Sequence, residues 1–218
     1  MRRDLILAVM TSALAACGDP VPRLPGTTAQ EQILWAAKYS DARALRYVLQ
    51  LGAAPDTRDP NNNWTPVMWA SVRGCAECID ILARGGADLE ARGRLRQTSL
   101  ILATRWDQEE SVRALLDHGA DPRAHEPDGW TALIWAAFLG REKVARDLLE
   151  HGAPVEQAAG DGLTPLMAAA RRDHEAVVDL LLEHGADPSR TGPARMTAAD
   201  LAASAGHADL AARLRKGR

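Results

Sequence analysis

Residues 128–157 read DGWTALIWAAFLGREKVARDLLEHGAPVEQ, and the register of this stretch recurs along the chain. Thr65, Thr98, Thr131, Thr164 and Thr197 follow one another at intervals of 33 residues. A Gly-Ala pair stands 21 residues after each of the first four: Gly86-Ala87, Gly119-Ala120, Gly152-Ala153 and Gly185-Ala186. Upstream, Ile33, Trp35, Ala36 and Ala37 fit the same frame, and Gly52-Ala53 closes that unit. The step from Gly52 to Gly86 is 34, which places one extra residue in the loop around Pro55–Asn63. A period of 33 is that of an all-α solenoid, in which helix–turn–helix units are joined by hairpin loops.

Each recurring residue type has a physical reason. Thr before a helix accepts a hydrogen bond from an unpaired N–H of the first turn. Pro66 and Pro165 fall at the first helical position, where no donor is required. Ala pairs (Ala136-Ala137, Ala169-Ala170, Ala202-Ala203) let first helices approach closely, and Leu115-Leu116, Leu148-Leu149 and Leu181-Leu182 give second helices an apolar face. Gly after the second helix takes the left-handed position that ends it. Asp128-Gly129 and Asp161-Gly162 are turn signals. A single unit cannot bury its own core, so the stack depends on neighbours.

These residues resemble the ankyrin repeat. The family's T-P-L-H-x-A-A stands here as Thr65-Pro66-Val67-Met68-Trp69-Ala70 and as Thr164–Ala170, and its V-x-x-L-L-x-x-G-A-D as Val112–Asp121 and Val178–Asp187. The resemblance spans about residues 29–214 and implies six units counting both caps, near 29–60, 61–93, 94–126, 127–159, 160–192 and 193–218. The family's His is replaced by Met68, Ile101, Ile134, Met167 and Asp200, so apolar contact is expected where that His would steady the hairpin. The basic end (Arg213, Arg215, Lys216, Arg218) reads as a polar cap on the last unit.

The N-terminus carries a different signal. Residues 1–17 read MRRDLILAVMTSALAAC: Arg2 and Arg3 form a basic start, Leu5–Leu14 an apolar run too short to span a bilayer, and Leu14-Ala15-Ala16-Cys17 resembles a bacterial lipobox. That resemblance implies cleavage after residue 16, a lipid on Cys17, and a periplasm-facing protein held to the membrane by the lipid alone. Gly18 after the Cys implies the outer rather than the inner membrane. Residues 17–28, with Pro20, Pro22, Pro25 and Gly26, read as a short extended tether, and 29–218 as the repeat domain. Formal net charge is −3 for the whole chain. No global basic field points to nucleic acid, and nothing in 17–218 is apolar for long enough to span a bilayer.

Candidate chemistry is sparse. Cys75-Ala76-Glu77-Cys78 falls at the start of a second helix, where a structural disulfide, unpaired thiols or a redox pair are all open readings. His118, His151 and His184 share one repeat position and are too far apart for one metal. Their expected role is at helix C-termini. The sequence contains no phosphate loop, nucleophile elbow or zinc-protease motif. The expectation is therefore a non-enzyme with no metal and no cofactor.

The resemblance implies that partners contact the hairpin tips and the ends of first helices, in a concave groove. The tip position holds Trp64, Gln97, Trp130, Leu163 and Met196; the helix ends hold Lys38-Tyr39, Val72-Arg73, Arg105-Trp106, Phe138-Leu139 and Arg171-Arg172. These side chains are expected to face the groove rather than the core. Trp, Tyr and Arg are the residues enriched at binding hot spots. The partner-binding set is accordingly Tyr39, Trp64, Arg73, Arg105, Trp106, Trp130, Phe138, Leu139, Arg171 and Arg172. Trp35, Trp69 and Trp135 are expected to pack between repeats. The function expected is a monomeric, lipid-anchored module that binds another protein. An inhibitor or immunity protein for an envelope enzyme or toxin is an alternative, as is a redox accessory working through Cys75 and Cys78.

Overall fold

The structure is a computed structural model and describes residues 28–216. Twelve α-helices follow one another as six antiparallel pairs among the described residues: α1 Ala29–Lys38 with α2 Ala42–Gln50, α3 Pro66–Arg73 with α4 Ala76–Arg84, and α5 Ser99–Arg105 with α6 Glu109–Asp117. Then come α7 Ala132–Leu139 with α8 Glu142–Glu150, α9 Pro165–Arg171 with α10 Glu175–Glu183, and α11 Ala198–Ser204 with α12 Ala208–Lys216. Each first helix packs on the next first helix, and the second helices from α2 to α10 pack each on the next, giving two parallel rows; Arg213 on α12 reaches α10 through an ion pair with Asp179.

Local chemistry starts each first helix where the register predicts. Thr65, Thr98, Thr131, Thr164 and Thr197 are all N-caps, and each hydroxyl accepts from the N–H three residues on. That N–H belongs to Met68, Ile101, Ile134, Met167 or Asp200, the residues that stand in for the family's His. The four apolar ones are fully buried. Asp200 instead returns its carboxylate to the Thr197 N–H and completes a capping box. Gly52, Gly86, Gly119, Gly152 and Gly185 take φ between 81° and 85° after the second helices.

The core is columnar. Val48, Leu82, Leu115, Leu148, Leu181 and Leu214 occupy one register position and are at most 4% exposed. Beside them runs the column Ala44, Cys78, Ser111, Val144, Val177 and Leu210, also buried. Fully burying a Leu of this kind contributes roughly 1.5–3 kcal/mol. Inner helices are almost wholly enclosed: every residue of Ser99–Thr104 and of Pro165–Ala170 is buried. The third unit breaks the pattern, because Ser99, Thr104 and Ser111 bury hydroxyl oxygens with no hydrogen-bond partner.

The loops are tighter than the β-hairpins of the expectation. Among the described residues there are no strands, only one isolated antiparallel bridge between His125 and Thr131. One backbone bond closes each loop instead: Asp59 N to Trp64 O, Gly93 N to Gln97 O, Glu126 N to Trp130 O, Ala159 N to Leu163 O and Gly192 N to Met196 O. Three residues separate the closing pair in every loop but the first, where four do, so the extra residue lies between Asp59 and Trp64.

Single backbone bonds (Arg94 N to Asn62 O, Gly160 N to Asp128 O) and side chains, rather than a sheet, tie one loop to the next. Arg58 donates to the Arg92 carbonyl at 2.8 Å and Arg92 to that of His125 at 2.7 Å. Gln157 donates to the Arg123 carbonyl at 3.0 Å and Arg190 to that of Glu156 at 2.9 Å. Carboxylates form a second series: Asp56, Glu90 and Glu156 accept from the backbone N–H of Asp88, Asp121 and Asp187. The one place without an acid is Arg123, and the residue its acid would meet is Pro154, which has no N–H. Sequence and ladder agree position by position.

Candidate functional site

Two aromatic clusters stand where loop tips meet first helices. In the second unit Trp64 packs edge-on against Trp69 with ring centroids 4.8 Å apart. The Trp69 indole N–H donates to Asp59 at 3.3 Å, and the Lys38 ammonium of the preceding unit lies 4.9 Å from the Trp69 ring centre. The fourth unit repeats this arrangement on a larger scale. Trp130 and Trp135 are 4.4 Å apart and Phe138 lies edge-on to both, at 5.4 and 6.2 Å. The Trp135 indole donates to Glu126 at 2.6 Å, and Arg105 of the preceding unit sits 4.4 Å over the Trp135 ring and 3.4 Å from Glu126. Arg172 of the following unit covers Phe138 at 4.6 Å. Each ring–cation contact of this type contributes about 0.5–1 kcal/mol at an exposed site. These contacts also hold the cations in place along the surface.

Between the clusters the third unit has Gln97 and Leu102 where its neighbours have Trp pairs. The surface there opens into a cleft of ≈380 Å³. Trp64 forms one wall, Leu102 the floor, and Trp106 with Leu95 the rim. Trp106 is 60% exposed and Leu95 70%, the two most exposed large apolar side chains among the described residues. Gly93 backs the Trp64 wall, and a Cβ there would approach the indole Cδ1 to 2.9 Å.

Charge is segregated between the two rows. The central first helices α3, α5, α7 and α9 carry no carboxylate. Second helices α4, α6, α8 and α10 carry eleven, from Glu77 to Glu183. The row of first helices is therefore the less acidic of the two, the charged residues of these four being Arg73, Arg105 and Arg171. Within the outer row, ion pairs link successive units: Arg46–Glu77, Arg113–Asp147 and Arg213–Asp179. Asp147 and Glu109 raise the Arg113 guanidinium above its usual value, Asp147 being the stronger cause. Arg215 and the Thr197 hydrogen bonds act together on Asp200, the Thr197 hydroxyl most strongly, and hold its carboxyl below the usual range. Burial pushes Glu90 up, against the lowering effect of the hydrogen bond from the Asp121 N–H.

The ten residues expected to bind a partner divide by burial. Tyr39, Arg73, Arg105, Trp106, Arg171 and Arg172 are exposed. Trp64, Trp130, Phe138 and Leu139 are half-buried. Trp130 and Phe138 pack partly against the core, which corrects the expectation that they face only the groove. Trp135 holds both rings against the helix, Trp130 in a tilted contact and Phe138 edge-on. Gln97 and Leu163 at the tip position are buried outright. Trp69 and Trp135, expected to pack between repeats, pack against the core and each take a cation from the preceding unit; Trp35 packs against the core and contacts Tyr39 at 5.0 Å.

Asp59, Glu126, Leu95 and Arg94 escaped the sequence reading. The signal for the acids was present: Asp59 and Glu126 occur only in the two loops whose units have Trp at both positions. Cys75 and Cys78 are joined as a disulfide with Cα atoms 5.2 Å apart, Cys78 lying in a core column and the Cys75 sulfur accepting from the Cys78 N–H at 3.2 Å. His118 meets Asp80 at 2.8 Å, while His151 and His184 donate to last-turn carbonyls at 2.7 and 2.8 Å. Among the described residues no group of three His, Cys, Asp or Glu could hold a metal ion. None of the described helices is long and apolar enough to cross a membrane. Cys17 and the Pro-rich tether lie outside the described residues.

A family model described as "Ankyrin repeats (3 copies)" matches residues 33–126, 94–159, 123–192 and 155–217. The chain is also similar to glycerophosphocholine phosphodiesterase gde1 of Schizosaccharomyces pombe, 40% identical over 55 residues. That match covers 25% of this chain and 5% of the yeast protein. The phosphodiesterase name belongs to the yeast protein, of whose length this chain covers only a twentieth.

Proposed function

The chain belongs to the ankyrin-repeat family, and from that premise we propose that it is a binding module holding another protein in the groove between its loop tips and first-helix ends. One observation carries the reading: Trp106, largely solvent-exposed, stands between two aromatic clusters on the side of the stack where first helices bear no carboxylate. Aromatic and arginine side chains grouped on a rigid surface are what protein interfaces use as anchors. Tyr39, Trp64, Trp130, Phe138 and Leu139 extend the apolar part, and Arg73, Arg105, Arg171 and Arg172 the basic part.

The module acts at the bacterial envelope, as a monomer tethered by a lipid on Cys17 and facing the periplasm. Support for this placement is the run Leu14-Ala15-Ala16-Cys17 behind a basic and apolar leader, with a Pro-rich spacer after it. Replacement of Cys17 by Ala should release the protein from the membrane fraction and alter its processing; unchanged fractionation would discard the anchor.

Capture from a native envelope fraction tests the groove. Wild-type protein should enrich one partner that Trp106→Ala with Trp130→Ala fails to enrich, with circular dichroism confirming that the variant keeps its helices. Equal enrichment by both proteins would remove the groove from the account.

A further inference from the structure

We propose that the cleft between Trp64 and Trp106 receives one large apolar side chain from an acidic segment of the partner protein. This rests on the reading of the groove as a protein-binding surface and assigns its specificity.

The cleft exists because the repeat pattern is interrupted. The second and fourth units fill this place with Trp64 and Trp69, and with Trp130 and Trp135. The third unit has Gln97 and Leu102 at the same positions, so the two indoles present in the units on either side of it are missing here. The ≈380 Å³ left open falls within the range of roughly 300–1,000 Å³ typical of ligand pockets. Its floor is apolar, since Leu102 joins Met68 and Ala91 in a small buried cluster against which Trp64 packs. A Trp, Phe or Leu side chain inserted there would bridge the two Trp clusters and cover Trp106 and Leu95, both now in contact with water.

Charge selects the flanks of that segment. None of the residues lining the cleft is acidic, and two are arginines, Arg94 and Arg105. Glu126 already engages Arg105. Among the described residues the Arg94 guanidinium has no ion-pair or hydrogen-bond partner. Arg73, one unit back at the register position of Trp106, is likewise exposed without one. A carboxylate beside the inserted side chain would meet an unpaired guanidinium, whereas a Lys or Arg there would be repelled.

A random-peptide phage library panned against the full chain tests this directly. Enriched peptides should share a Trp, Phe or Leu next to Asp or Glu. One such peptide, labelled and titrated by fluorescence anisotropy, should bind Gln97→Trp/Leu102→Trp at least about tenfold more weakly, because that variant fills the cleft with its own indoles. Arg94→Glu should weaken binding about fivefold or more, with the difference shrinking at high salt. If the filled variant fails to give a helical circular dichroism spectrum, Leu95→Lys/Trp106→Ala takes its place, both sites being exposed, and the same loss is expected. Peptides lacking acidic residues, undiminished binding to the filled variant, or no enrichment would each overturn the proposal. Peptides that ignore the filled cleft but are lost on Trp130→Ala would overturn the cleft alone and leave the groove as a binding surface.

Discussion

The Trp135 indole donates to the Glu126 carboxylate at 2.6 Å, and that acid is only 7% exposed. Arg105 from the preceding unit supplies the counter-charge on the same acid and covers the same ring. One buried carboxylate thus fixes a loop to its own helix and to the neighbouring repeat. Trp69 and Asp59 repeat the relationship two units earlier at 3.3 Å.

Glu126→Ala should therefore destabilise the stack by about 1–3 kcal/mol, since it strands an indole N–H and leaves Arg105 without its acid. Glu126→Gln, which retains an acceptor for the indole, should cost less. Urea denaturation followed by tryptophan emission measures both. Equal stability of Glu126→Ala and wild type would show that water replaces the carboxylate at no cost.

The third unit is the weak point of the core. Ser99, Thr104 and Ser111 are fully buried and their hydroxyls have no partner. The fourth and fifth units place Ala137 and Ala170 at the position of Thr104, and Val144 and Val177 at that of Ser111. Thr104→Ala and Ser111→Val borrow these solutions and should each stabilise the protein by about 1 kcal/mol, the lower end of the penalty for an unsatisfied buried polar group. A lowered thermal midpoint for both variants would mean that the hydroxyls find bonds in solution.

Much of this architecture was legible because period and chemistry coincide. Thr65 and its equivalents cap helices for a local reason, visible within four residues, and Leu115 and its equivalents face inward for a reason visible within one turn. The groove was less legible. Whether Phe138 lies on the surface or against Trp135 depends on which rotamers its neighbours adopt, and a register position does not encode that. Leu163 shows the same limit: it holds the tip position of Trp64 and Trp130, yet it is buried, because no second aromatic at Ala168 props it outward. Cleft formation was legible only as an absence, the two indoles missing at Gln97 and Leu102.

Backbone conformation at one loop position makes opposite predictions for two residues. The residue before each tip takes a positive φ: Asn63, Arg96, Gly129, Gly162 and Arg195, between 60° and 88°. Arg96 bears the steric cost of a side chain there, which is roughly 1–2 kcal/mol for the left-handed region. Arg96→Gly should recover about 0.5–1 kcal/mol after the extra flexibility of Gly in the unfolded chain is charged against it. Gly129→Ala should destabilise by more than that, because a Cβ would lie 2.7 Å from the Gly160 nitrogen as well as at positive φ. Thermal midpoints moving in the same direction for both variants would rule out this account.

Acid should loosen the C-terminal cap through Asp200. Its carboxylate accepts from the Thr197 hydroxyl and N–H and meets Arg215 at 3.2 Å, interactions that hold its pKa below the usual 3.8. A depressed folded-state pKa contributes stability that is complete above the unfolded value, near 3.8, and disappears as pH falls through the lower folded value. Glu90 acts in the opposite sense: burial raises its pKa above 4.5, so its contribution is complete below 4.5 and is lost as pH rises through the folded value. Asp200→Ala should lower the thermal midpoint at pH 7, because it removes the reciprocal half of the capping box and the Arg215 contact while the Thr197 cap stays. Its deficit should narrow as pH falls below 3.8. Glu90→Gln should show a gain at pH 7 that narrows toward pH 4. Midpoints measured across this range on the three proteins give two difference curves. Curves flat with pH would mean that neither carboxyl differs between folded and unfolded chains, and exchanged slopes would mean that the Thr197 and Arg215 contacts do not form in solution.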